Sequence, residues 1–447
     1  MLKHFLRVGG ILVLIAVGVF VYLAWPDRAR LPIEAVQGQR PQITAPRRQV
    51  LPTVKVADVV GWKAGEMPTP AAGLQVQPFA SGLDHPRWLY RLPNGDVLVA
   101  ESNSPPRKGG GLTGLVMKWL LGKAGAGVPS ANRITLLRDA DGDGRAELRS
   151  VFMAGLNSPF GMTLLGDQLY VANTDALVRV PYTIGDTRVT ARPEVVVRYP
   201  GGGNHWTRNV IAAPDGKSLY VSVGSASNIA ENGLDAEKNR AAILEVWPDR
   251  KAFRIYAAGL RNPVGLAVNP VTAELWTVVN ERDMIGSDLA PDYLTQIELG
   301  DHFGWPWYYW GGYPDTRVEP KNPALQEYSK RPDFALGPHV AALGLAFSNE
   351  VKLGPRFANG AFVGQHGSWN RQPVSGYNVV FVPFGANGFP APKAKPVPVL
   401  AGFLDAEGDA RGRPVGVIAD QAGALLVADD VGNVIWRVSP AARTAAR

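Results

Sequence analysis

The run Gly259-Leu260-Arg261-Asn262-Pro263-Val264-Gly265, leading into Leu275-Trp276-Thr277-Val278, decides the fold because the chain repeats it. Gly82-Leu83-Asp84-His85-Pro86 leads into Val97-Leu98-Val99-Ala100, and Gly155-Leu156-Asn157-Ser158-Pro159 into Leu169-Tyr170-Val171-Ala172. Gly412-Arg413-Pro414-Val415-Gly416 leads into Leu425-Leu426-Val427-Ala428. Each copy reads as a Gly/Pro turn, an apolar strand, a polar turn such as Pro93-Asn94-Gly95 or Pro214-Asp215-Gly216, and a second strand. Looser copies from Asn204 to Ser222 and from His339 to Gly367 bring the number to six. Six units over roughly 370 residues give about 62 residues each, long for a four-stranded blade unless loops are inserted. The pattern predicts an all-β, six-bladed β-propeller over residues 76–447. A pair of β-sandwiches is the alternative, but independent sandwiches have no reason to repeat one turn chemistry.

Composition agrees with a large folded body. Hydrophobic residues make up 46% of the 447 and charged ones 19%, while 50 glycines and 37 prolines suit a turn-rich all-β chain. There is no cysteine, which removes disulfides, thiolate metal sites and thiol nucleophiles. The net charge of +7 comes without a Lys/Arg run of the kind that grips nucleic acid.

Lys3 and Arg7 precede an apolar run from Val8 to Trp25, the length of a bilayer-crossing helix. No small-residue cleavage site follows, so residues 1–25 are expected to be a retained signal anchor in the inner membrane. Residues 26–75, rich in proline, are expected to be a periplasmic tether, and the catalytic domain to be periplasmic.

Several stretches carry chemistry. His205 lies at a blade start behind Gly201-Gly202-Gly203-Asn204, and an imidazole there is suited to taking a proton near neutral pH. A lone histidine is more often structural, but the glycines permit close approach of a flat ligand. Arg208 reads equally as a cofactor ligand or a strand-edge ion-pair partner. At the next turn, the fork of Arg261 matches a carboxylate and the Asn262 amide can donate to a quinone carbonyl. Other copies of that turn hold Asp84-His85 and Asn157-Ser158, so the turn itself does not demand arginine. Asp139, Asp141, Asp143 and Glu147, spaced by glycines, form an oxygen-rich loop that suits Ca²⁺ or is a solvated acidic turn. It departs from the EF-hand because its closing acid comes too early.

In order, Gly-Asn-His at 203–205, Gly-Leu-Arg-Asn-Pro-x-Gly at 259–265, Asn-Glu-Arg-Asp at 280–283, Pro291-Asp292-Tyr293 and Gly304-Trp305-Pro306 resemble the pyrroloquinoline quinone (PQQ)-dependent sugar dehydrogenases. The resemblance is greatest to the L-sorbosone dehydrogenase-like branch, and it covers nearly all of residues 75–440. It implies a six-bladed propeller whose top face holds PQQ and Ca²⁺. It implies that His205 is the base for the anomeric hydroxyl while hydride passes to the quinone, with Arg261 and Asn262 contacting that quinone. Asn204 stands beside the base where better-known members carry aspartate. At Glu281-Arg282-Asp283 the glucose enzymes look more like Gln-Gly-Pro. Here Glu281 or Asp283 is expected to offer a carboxylate to the metal, and Arg282 to pair with the quinone acids. Arg371 and Arg413 are carried over as further basic groups at blade mouths.

The expectation is therefore a channel in which Arg208, Arg261, Arg282, Arg371 and Arg413 neutralise the three carboxylates of PQQ, with Ca²⁺ polarising its carbonyl. Trp305, Trp307, Tyr308, Tyr309 and Trp310 form either a sugar-stacking wall or blade core. Leu112 to Leu121, apolar and flanked by Arg107, Lys108 and Lys123, reads as a membrane-facing helix or a lid. The leading function is oxidation of an aldose or a sorbosone-like sugar aldehyde, with electrons passed to a respiratory quinone or cytochrome c. The alternatives are a calcium-dependent propeller lactonase, which needs a carboxylate-lined central metal, and a non-catalytic binding propeller, which leaves His205 unexplained.

Overall fold

The computed structural model describes residues 2–47, 53–106, 119 and 122–442. Six antiparallel sheets surround one axis. The innermost strands, in chain order, are Pro86–Arg91, Met162–Leu165, Val210–Ala212, Pro263–Val268, Ala342–Phe347 and Pro414–Ala419. Each touches the next and the last touches the first, so the ring closes. The six starts fall where the repeat placed them, and the propeller reading stands.

The glycine of the repeat has a steric reason. A Cβ on Gly265 would lie 2.7 Å from the Leu343 carbonyl oxygen, and one on Gly344 would lie 2.2 Å from that of Val415. A Cβ on Gly416 would lie 2.9 Å from the Arg87 carbonyl oxygen. Inner strands of neighbouring blades approach backbone to backbone, and any side chain there would hold them apart. The second strands (Val97–Glu101, Leu219–Val223, Leu275–Val279, Leu425–Asp429) are buried at every position. They lie between blades with both faces covered, so they read as continuous apolar runs instead of alternating ones.

Closure joins the two ends of the chain. Leu74–Ser81 pairs along Val434–Pro440 and becomes the outer strand of the sixth blade. Thr69–Pro70 pairs with Ala401 and Leu400 at the edge of the fifth. The propeller therefore begins a few residues before the expected boundary.

The expectation of a loose tether over 26–75 is corrected. Asp27 is buried: its Oδ2 accepts from the Ser287 N–H at 2.6 Å and its Oδ1 pairs with Arg47 at 2.6 Å. The Ala29 N–H donates to the Gln372 carbonyl, Gly38 and Ala335 exchange backbone bonds, and the Lys55 and Val60 N–H groups donate to Trp369 and Ala410. The segment is a strap across blades four to six, because its polar backbone finds fixed partners there.

Residues Leu2–Ala24 form a helix whose apolar side chains from Val8 to Tyr22 are exposed. Among the described residues, no helix is long and apolar enough to cross a membrane, so the expected anchor is not supported by the fold. Most of the apolar insertion Leu112 to Leu121 lies outside the described residues.

Candidate active site at the channel mouth

Residues just before each inner strand and just after each second strand gather at one mouth of the channel. His205, Arg261, Asn262, His339 and Arg413 come from the first group, and Ser225, Glu281, Asp283, His366 and Asp430 from the second. The antiparallel meander brings these two loop ends side by side in every blade.

His205 is half-buried, and its Nδ1 lies 2.9 Å from both the carbonyl and the hydroxyl oxygen of Ser225. A carbonyl only accepts, so Nδ1 carries the proton and Nε2 keeps its lone pair. Burial first, and then the positive charge of Arg261, push the imidazole well below its ordinary pKa. The group is thus a neutral base with a fixed tautomer. Gly224 allows the packing beside it, since a Cβ there would lie 2.4 Å from Asn262 Oδ1 and 2.6 Å from His205 Cβ.

Arg261 is buried and organises the blade-four side. Its Nη1 donates to the Glu281 carbonyl at 2.6 Å, and its Nη2 to Asn228 Oδ1 at 2.9 Å and Asp283 Oδ2 at 2.8 Å. The other Asp283 oxygen lies 3.2 Å from His339 Nδ1, and His339 Nε2 lies 3.1 Å from the Gly286 carbonyl oxygen. Burial opposes ionisation of Asp283, but Arg261 and His339 outweigh it and hold its carboxyl below the usual range. Burial pushes Glu281 up to about 8 and Asp292 up to about 7.

The expected arginine ring is corrected in three places. Arg208, fully buried, donates to the carbonyls of His205, Thr207 and Pro200, so it braces the loop behind the base. Arg282, also buried, is paired with Asp315 at 2.8 Å. Arg371 donates to the carbonyls of Ser287 and Pro373 beside the strap. Arg261 and Arg413 remain at the mouth. Arg413 stands 5.0 Å from the Tyr377 ring centroid and donates to the Tyr377 hydroxyl at 3.1 Å. Asn204 is exposed at the lip, with its N–H donated to the Ala226 carbonyl.

The metal expectations divide. Asp283 is committed to Arg261 and His339, and Glu281 lies near enough to feel its charge. Among the described residues, one acidic group converges: Asp139, Asp141, Asp143 and Glu147 have ligand atoms within 4.8 Å of one another. Their carboxylates are drawn inward by backbone N–H groups of Gly142, Gly144, Asp143, Arg145 and Ala140. That loop joins the outer strands Arg133–Arg138 and Leu148–Ala154, at the end of blade one away from the mouth. Of the aromatic cluster, Tyr309 and Trp310 pack in a hydrophobic core, Tyr308 is buried, Trp305 is buried with its N–H on the carbonyl of Asn228, the partner of Arg261, and Trp307 is half-buried with its N–H on the Pro320 carbonyl.

A second charged group at the mouth was not anticipated. Asp430 accepts from Arg87 and lies 2.9 Å from His366 Nε2 and 3.3 Å from His85 Nε2. Burial works against its ionisation, but His366, His85 and Arg87 hold it well below the carboxylate range. His366 itself is pushed down to about 4 by burial. The Arg87 guanidinium lies 5.5 Å from the ring centroid of Trp206, the neighbour of His205. His85 and Asp430 stand at repeat positions equivalent to Asn262 and Asn280, and that equivalence was the available signal.

Comparison with known proteins gives the relationships. A pyrroloquinoline quinone-dependent pyranose dehydrogenase of Coprinopsis cinerea is 26% identical over 374 residues, covering 72% of this chain and 46% of that protein. The chain thus spans about half the length of this relative. The holo form of the pyranose dehydrogenase PQQ domain from Coprinopsis cinerea superposes with a TM-score of 0.68 at 21% identity, covering 86% of this chain and 100% of that one. The calcium structure of Trichoderma reesei Carbohydrate-Active Enzymes Family AA12 gives a TM-score of 0.68 at 19% identity, covering 84% and 97%. These relatives agree with the resemblance carried by the motifs. The TrAA12-like family model matches residues 68–297 and 292–441, most of the chain, and the chain belongs to that family.

Proposed function

We propose that the protein oxidises a hydroxyl or aldehyde carbon of a sugar, with PQQ as cofactor and His205 as the base. One observation carries the reading: Nδ1–H of His205 is committed to Ser225, which leaves Nε2 as a neutral proton acceptor beside Arg261 and Asn262. The relatives' named activity supports it.

The residues at the mouth fit a planar tricarboxylate. Asn262 Oδ1 and Arg413 Nε are buried polar atoms without partners in the protein, a state that costs free energy unless a ligand answers it. Asn262 and Arg413 would hold the cofactor, Arg413 answering a carboxylate, while Arg261, whose N–H groups are donated to Asn228, Asn280, Glu281 and Asp283, would lend its positive charge from behind them. When bound, PQQ supplies the hydride acceptor. The chain's part is to take the hydroxyl proton on His205 Nε2 while Ser225 keeps the ring from turning. Among the described residues, the group of three or more acids that converges is Asp139, Asp141, Asp143 and Glu147, and calcium in this proposal sits there as a structural ion. A sorbosone-like aldehyde as substrate and a respiratory quinone or cytochrome c as acceptor belong to the same proposal. So does a periplasmic location with residues 1–25 at the inner membrane, which the exposed apolar face of the helix favours.

The test is turnover. Purified protein is loaded with PQQ and Ca²⁺ and assayed with an artificial acceptor against a panel of aldoses and sugar aldehydes. Activity is expected, and His205→Ala should lower kcat by about 10²-fold or more with PQQ still bound. No activity across the panel, or wild-type turnover in the variant, would overturn the assignment.

A further inference from the structure

Glu237 lies outside the mouth, yet it is joined to the base through a continuous set of hydrogen bonds. Its Oε2 accepts from the Ala226 N–H at 2.7 Å and its Oε1 from the Ser227 hydroxyl at 2.7 Å. The Ser225 hydroxyl donates to the Ser227 carbonyl at 2.6 Å. With its proton spent there, the Ser225 oxygen can only accept, as its carbonyl does, and both face His205 Nδ1 at 2.9 Å. One carboxylate thereby fixes residues 225–227, and that turn fixes the imidazole.

The other wall of the base is tied to the same short helix. Arg240 donates to the Gly201 carbonyl, and its own N–H donates to the Glu237 carbonyl at 3.0 Å. The Asn204 N–H donates to the Ala226 carbonyl at 2.7 Å. The Gly201–Asn204 lead-in and the 225–227 turn therefore clasp His205 from two sides, with Leu234–Glu237 behind them. Asn204, next to the base, has no carboxylate to orient it, and Ser225 offers only neutral oxygens.

We propose that Glu237 is the positioning residue for His205, setting its Nδ1–H tautomer at one remove through the Ser225–Ser227 turn. This rests on His205 being the base of the proposed reaction. An outer carboxylate in this role does not touch substrate or cofactor. It acts by making one neutral form of the ring dominant, so that Nε2 is always the open nitrogen. The lever is geometric: without it the turn loses two acceptor contacts, and the ring is free to present the wrong nitrogen.

The experiment compares wild type with Glu237→Ala, Glu237→Gln and Ser227→Ala in two readouts. The first is the imidazole ¹⁵N shifts of His205 in ¹⁵N-histidine-labelled protein without cofactor, assigned by their loss in His205→Ala. Wild type should show a protonated Nδ1 and bare Nε2; Glu237→Ala should show averaged shifts from a tautomer mixture. The second is turnover of the PQQ-loaded protein, where kcat should fall about tenfold or more with KM within about twofold. Glu237→Gln, which keeps one acceptor, should recover part of both signals. Should Glu237→Ala fail to fold, Ser227→Ala removes a single link and is expected to shift the tautomer in the same direction. Wild-type ¹⁵N shifts and kcat in folded variants would overturn the proposal while leaving the base assignment intact. An inactive wild type would instead overturn the dehydrogenase reading, and the ¹⁵N shifts would still decide the role of Glu237.

Discussion

At the scale of single residues, the site works through what each polar atom has already committed. His205 Nδ1 is spent on Ser225, Asp283 on Arg261 and His339, and Arg208 on three carbonyls. His205 Nε2 is left as the open nitrogen of the ring, and Asn262 Oδ1 and the Nε of Arg413 are among the buried polar atoms without a partner. The acid limb of the pH–rate profile follows from the first of these. Burial and Arg261 lower the His205 pKa, so the neutral, base-competent ring persists below pH 6.5, where an ordinary imidazole would be half protonated. kcat/KM is expected to hold its plateau as pH falls through 6.5 and to drop only in more acid solution. Half-maximal kcat/KM at or above pH 6.5 would contradict the buried environment of that base.

At the scale of elements, the strap is the part of the molecule whose role differs most from its sequence. Proline-rich and without periodicity, residues 26–75 read as a spacer, but Asp27 and the backbone of Ala29, Lys55 and Val60 are anchored on loops within the fourth and fifth blades and on the connection into the sixth. Asp27→Ala leaves the Ser287 N–H and Arg47 without their acceptor, at a cost of about 1–3 kcal/mol. Thermal unfolding should therefore move down by several degrees, whereas a free tether would leave Tm unchanged. The repeat itself was legible because proline and glycine act on the backbone: Gly265, Gly344 and Gly416 are where neighbouring strands must touch. The arginines were not, because a guanidinium on a long stem can serve a ligand, a carboxylate or a carbonyl. Arg282 and Arg371 found partners on loops farther along the chain, and Arg208 turned back on carbonyls of its own loop. The acidic loop was legible for the opposite reason, since its partners are its own neighbouring N–H groups.

At the scale of the whole molecule, the site exists only when the ring is closed. Its groups run from His85 in the first blade to Asp430 in the sixth, and the ring is completed by pairing Leu74–Ser81 with Val434–Pro440. The mouth then presents Arg261 and Arg413, the unpartnered Oδ1 of Asn262, and a cluster in which Arg87, His85 and His366 meet one aspartate. Arg87 and Arg261 are each balanced by an aspartate there, so Arg413 is the guanidinium at the mouth best placed to answer an anion. The most direct measurement is an isothermal titration of the purified protein with PQQ, beside Arg261→Ala. Saturable binding with one site per chain is predicted for the wild type, weakened at least about tenfold in the variant. No binding heat from the wild type, or equal affinity in the variant, would show that the mouth is not where the cofactor is held.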